Sequence, residues 1–107
     1  MKDFRSLMVW ERGHRLTLLI YKESHGFPKE KIYGLTSQIR RAFSSIPINI
    51  AKGCRRGSDT DFARFLQIAF GSASKTEYLL LLCFELSFLS EEHYVELNLL
   101  LQEIKKC

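Results

Sequence analysis

Apolar side chains recur at three- and four-residue intervals along nearly the whole chain, the period of an amphipathic helix rather than the alternation of a strand. Four segments carry the pattern. The first runs from about Ser6 to His25 and places Trp10, Gly13, Thr17, Ile20 and Tyr21 on one face. Gly26 offers a left-handed C-terminal cap, and Phe27-Pro28 ends the helix. The second segment starts between Lys31 and Gly34 and runs to about Arg56, with Leu35, Ile39, Ala42, Phe43, Ile46 and Ile50 on its apolar side. Pro47 interrupts it, because an interior proline removes one backbone hydrogen bond. Two outcomes are open there: a kinked helix in which Ser44 or Ser45 satisfies the freed carbonyl, or two shorter helices meeting near Ser45.

Gly57 closes that segment, and Ser58-Asp59-Thr60-Asp61 reads as a capping sequence for a third helix spanning about Asp59 to Leu89. Its apolar face holds Phe62, Phe65, Leu66, Ala69, Ala73, Leu80 and Cys83, and Gly71-Ser72-Ala73-Ser74 forms a small-residue patch. Ser90 caps the fourth helix, Glu91 and Glu92 favour its N-terminal dipole end, and Lys105 and Lys106 its C-terminal end. Tyr94, Leu97, Leu100, Leu101 and Ile104 make its inner stripe. Short connections between four helices predict an all-α, antiparallel up-down-up-down four-helix bundle, with residues 1–107 as a single domain.

The apolar surface exceeds what one such bundle needs. Leu79 to Phe84 is apolar around the whole helix, and Leu16 to Ile20 nearly so. Val95, Leu99, Ile68 and Phe70 lie off or beside the inner stripes. Either the third helix is deeply buried or the protein is a homo-oligomer, and the size of the surplus favours the oligomer.

Composition narrows the class. Two prolines and six glycines leave little room for the turns of a sandwich or barrel. No apolar run approaches a membrane span, and Met1 to Arg5 lacks the apolar core of a signal peptide, so the expected location is the cytoplasm. The three cysteines, Cys54, Cys83 and Cys107, show no paired spacing. Cys83 reads as a small core hydrophobe. Cys54 lies near basic residues that favour a thiolate.

Catalytic chemistry finds little support. There is no glycine-rich phosphate loop, no His-Glu-x-x-His and no nucleophile elbow. His14, His25 and His93 are scattered, Ser44 and Ser45 have no local base, and Glu91, Glu92 and Glu96 read as a solvated helix face. The expected protein is non-enzymatic, without metal or cofactor.

Charge is more informative. The net charge is +4, yet residues 1–75 carry 14 Lys/Arg against 6 Asp/Glu, and residues 76–107 carry 2 against 6. On the second helix Arg40, Arg41, Lys52, Arg55 and Arg56 lie between about 100° and 260° from Ile39, mostly opposite the apolar face, with Ile48 among them. No acid interrupts residues 40–56. Ordinary charged faces mix signs, and arginine suits phosphate, so these five cations are the candidate nucleic-acid contacts. No exposed aromatic is expected among them, so base stacking is not predicted. The alternative is a protein-interaction scaffold whose basic face docks an acidic partner.

Val9-Trp10, Ile20-Tyr21, Phe27-Pro28, Tyr33-Gly34-Leu35, Gln38-Ile39-Arg40-Arg41-Ala42, Ser45-Ile46-Pro47, Asn49-Ile50-Ala51, Gly53, Arg56, Phe65-Leu66, Ile68-Ala69, Gly71-Ser72 and Glu77 occur in that order. This set resembles the four-helix-bundle protein family encoded in intervening sequences of bacterial 23S rRNA genes, which is similar in turn to the accessory variability proteins of diversity-generating retroelements. The resemblance covers about Val9 to Leu89. It implies a ring-like homopentamer with a basic surface suited to RNA and no enzymatic activity, and it makes a reverse transcriptase one candidate for the acidic partner of the scaffold alternative. Lys52 and Lys75 stand where that family usually has acids, which makes this surface more basic.

Overall fold

Helices form where the apolar period runs: α1 (Met8–Ser24), α2 (Ser37–Cys54), α3 (Asp59–Glu85) and α4 (Glu91–Lys105). The computed structural model describes residues 3–106, apart from the side chains of residues 31 and 32; Met1, Lys2 and Cys107 lie outside the described residues. No strand occurs among the described residues. Each helix packs on its neighbours in sequence, and α1 closes back onto α4, so the chain is a four-helix bundle. At 27 residues α3 is about 40 Å long, which sets the long dimension of a 43 × 25 × 19 Å body.

The core follows the predicted faces. Leu16 and Ile20 of α1, Ile39, Phe43, Ile46 and Ile50 of α2, Ala69, Ala73, Leu80 and Cys83 of α3, and Leu97, Leu101 and Ile104 of α4 are buried together in one core. Burial pushes the Cys83 thiol up to about 11, as fits a side chain that serves packing. Tyr21 departs from the expected face: it is exposed, at the edge of the α1 stripe.

Pro47 does not divide the second helix, because α2 runs continuously from Ser37 to Cys54. The freed carbonyl belongs to Phe43, four residues back. Neither neighbouring serine reaches it: Ser44 Oγ donates to the Arg41 carbonyl (3.2 Å) and Ser45 Oγ to that of Ala42 (2.7 Å). The donor comes from α1 instead. Thr17 Oγ1 lies 3.2 Å from the Phe43 carbonyl and 2.8 Å from that of Gly13, so its single proton bridges two helices. Gly13 permits the approach, since a Cβ there would stand 3.1 Å from Ile46 Cγ2 and 3.4 Å from Pro47 Cδ. Gly53 plays the same part between α2 and α3, where a Cβ would come within 2.9 Å of Phe65 Cβ.

The irregular backbone falls earlier. A tight turn over Lys29–Lys31 and a wider one over Ile32–Thr36 precede α2, with non-helical geometry at Gly34 (φ −109°, ψ −107°). The expected left-handed cap at Gly26 is absent: no glycine among the described residues has positive φ. Instead α1 tightens at its end, with His25, Gly26 and Phe27 each donating to the carbonyl three residues back.

Both serine caps form: Ser58 Oγ accepts from the Asp61 amide and Ser90 Oγ from that of His93, each at 3.1 Å. Two side-chain bridges seat α4. Gln102 Nε2 and Lys105 Nζ (2.9 Å) donate to the Glu77 carboxylate of α3, and these bonds, Lys105 first, hold its pKa below the ordinary value. His93 Nδ1 lies 2.9 Å from Glu23 Oε2 of α1.

The third helix ends at Glu85, four residues before the predicted Leu89. A Schellman turn stops it: Phe88 N–H bonds the Cys83 carbonyl and Ser87 N–H that of Phe84, both at 2.9 Å. Ser87 occupies the left-handed position (φ 66°), where a Cβ is strained. Replacing it with glycine is expected to stabilise the protein by about 0.5–1 kcal/mol, read as a raised urea midpoint at unchanged m-value.

Candidate nucleic-acid interface

Continuity of α2 fixes where its cations sit. Arg41, Ile48, Lys52 and Arg55 follow one another down the exposed side of the helix. At 1.5 Å per residue Lys52 lies about 16 Å and Arg55 about 21 Å along the axis from Arg41. The five residues therefore form two groups: Arg40 with Arg41 near the start of α2, and Lys52 in its last turn with Arg55 and Arg56 just beyond its end.

Among the described residues, none of these five forms an ion pair with a carboxylate. Cations elsewhere do: Arg12 approaches Glu103 (3.9 Å), Arg64 Asp61 (3.7 Å) and Lys105 Glu77 (2.9 Å). Lys52, Arg55 and Arg56 also complement the negative C-terminal end of α2, so this group contributes to the helix itself.

Arginine geometry differs between the groups. Arg40 leans toward α1, where its Nε–H donates to Ser24 Oγ (2.8 Å) and its guanidinium lies 4.7 Å from the centre of the Tyr21 ring. Ser24 is buried, so this arginine is held on two sides. Arg41 is exposed and donates from Nη2 to Ser37 Oγ (3.2 Å). Arg56 and Arg64 both lie over the Phe65 ring at 4.9 Å, which adds Arg64 of α3 to the second group.

The expectation of no exposed aromatic among the cations is overturned. Tyr21, Tyr33, Ser37, Arg40, Arg41 and Ser44 line one groove of about 310 Å³. Tyr33 is 97% exposed and Tyr21 47%. The sequence pattern assigned Tyr21 to the core stripe by spacing, and Tyr33 precedes α2 on the turn broken at Gly34, where helical periodicity carries no information. The mixed character of tyrosine at a stripe edge was the available cue.

A second groove, of about 530 Å³, differs in kind, being lined by Leu35, Tyr78, Leu79, Leu82, Leu86 and Phe88 together with Glu30, Gly34 and Gln38. Among the described residues no three His, Cys, Asp or Glu side chains gather as a metal site, and no helix is long and apolar enough to cross a membrane.

A family model described as 23S rRNA-intervening sequence protein matches residues 5–107. The fold is also similar to the crystal structure of a protein of unknown function from the S23 ribosomal protein family of Bacteroides thetaiotaomicron. That match has a TM-score of 0.81 and 27% identity, and it covers 92% of each chain. No curated protein matches the chain.

Proposed function

We propose, for a chain that belongs to the 23S rRNA-intervening sequence protein family, a non-enzymatic role as a cytoplasmic, oligomeric RNA-binding protein. Its phosphate contacts are Arg40, Arg41, Lys52, Arg55 and Arg56. The observation that carries this reading is the set of cations on and just beyond α2, exposed except for the half-buried Arg40, that have no carboxylate partner among the described residues. An unneutralised row of like charge destabilises the free protein slightly and gains free energy when phosphates displace its counterions. The two groups, about 16–21 Å apart, suit a backbone that tracks along the helix. Readout of this kind positions RNA without selecting its sequence.

Oligomerisation accounts for the exposed apolar side chains. Leu99 is 61% and Val95 45% exposed, one turn apart on α4, and Leu18, Ile68 and Leu81 add to the uncovered surface. Contact between copies would remove this surface from water. Light scattering at micromolar concentration is expected to give a mass several times that of one chain, and a pure monomer would refute this part of the reading.

The charge-reversed variant R41E/R55E, with one change in each cation group, tests the RNA face. It is expected to lower RNA affinity about tenfold or more at low salt and to flatten the salt dependence by roughly one to two counterions. Undiminished binding would remove the face from the interface. A pull-down with and without nuclease separates the alternative, since a protein partner that survives nuclease favours an acidic docking partner.

A further inference from the structure

We propose that the groove between the end of α1 and the first half of α2 is a subsite for one unpaired nucleotide, whose base stacks on Tyr33 while Arg40 and Arg41 hold the adjoining phosphate. The inference rests on the RNA-binding reading and adds to it a preference for single-stranded or bulged RNA over duplex.

Three features of the groove point to this ligand. Its volume, about 310 Å³, is at the lower end of the range for small-molecule sites. Among the described residues its lining holds two tyrosines, two arginines and two serines, with no carboxylate and no aliphatic side chain. A protein neighbour would bury aliphatic surface, and the groove lined by Leu35, Leu79, Leu82 and Leu86 offers that instead. An almost fully exposed aromatic ring beside two unpaired cations matches a base and its phosphate.

The polar groups are already oriented. Arg40 Nε–H is held by Ser24 and its guanidinium carbon lies over the Tyr21 ring, which leaves the terminal amino groups to meet a phosphate. Its outer face can continue the stack, since guanidinium planes and aromatic rings both accept bases. Ser37 Oγ accepts from Arg41, so its own hydroxyl proton remains to be donated. Ser44 donates its proton to the Arg41 carbonyl and keeps lone pairs to accept from a ribose 2′-hydroxyl. A base in a duplex is stacked on its neighbours and cannot reach Tyr33, so this subsite distinguishes paired from unpaired RNA.

Tyr33→Ala removes the stacking ring at a position that packs against almost nothing, so the fold is retained. Fluorescence anisotropy with a labelled oligouridylate and with a blunt RNA duplex of equal length provides the comparison. Y33A is expected to weaken oligouridylate binding about tenfold and to leave duplex binding unchanged, with Tyr33→Trp restoring the affinity. R41E/R55E, by contrast, should weaken both RNAs. Unchanged oligouridylate binding by Y33A, or an equal loss for both RNAs, would overturn the subsite while leaving the phosphate face standing. A Y33A defect confined to oligomeric state or to a nuclease-resistant protein partner would also overturn it. Failure of the wild-type protein to bind either RNA would refute the RNA reading itself.

Discussion

The bridge from Thr17 to the Phe43 carbonyl is the constraint on which the rest of the molecule turns. A proline in the middle of a helix leaves one carbonyl without its donor, and in a core that orphan costs about 1–3 kcal/mol. Here the neighbouring helix supplies the donor, and Gly13 supplies the space for it. The two helices are thereby locked at one height and one separation. Ile46 and Pro47 sit in the seam, and Ile39, Phe43 and Ile50 continue it into the core. Without that bond, α2 would have reason to break or bend at its centre, and every residue beyond Pro47 would change direction relative to every residue before it.

The proposed RNA-binding face depends on that continuity. Arg40 and Arg41 lie before Pro47, and Lys52, Arg55 and Arg56 after it. The two groups keep a fixed offset because the helix between them is unbroken. The close contact at Gly53 fixes the far end of the same helix against Phe62 and Phe65 of α3, beside the second cation group. Packing thus spends its two closest glycine contacts on the element that carries the charge. Of the acids, Glu77 is occupied in holding α4, and Glu23 of α1 meets His93.

Much of this was legible in the residues. Helical periodicity located all four helices, their inner faces and both serine caps, because each is a local property of spacing or of a short capping sequence. Three features were not local. The partner of the Phe43 carbonyl lies 26 residues away on another helix, so nearby serines were the wrong place to look. The third helix stops at a Ser in a left-handed turn, a conformation that serine does not advertise. Tyr21 and Tyr33 come together with Arg40 and Arg41 only when the end of α1 meets the start of α2, so the groove exists in the tertiary structure alone.

Thr17 compensates Pro47, and a double-mutant cycle in stability reads that compensation. Pro47→Ala restores a backbone N–H that can bond the Phe43 carbonyl within α2, which makes the threonine dispensable for that carbonyl. Denaturant unfolding of the wild type, T17V, P47A and T17V/P47A is predicted to show T17V costing about 1–2 kcal/mol more with proline at position 47 than with alanine. Equal costs in the two backgrounds, within about 0.5 kcal/mol, would contradict the account.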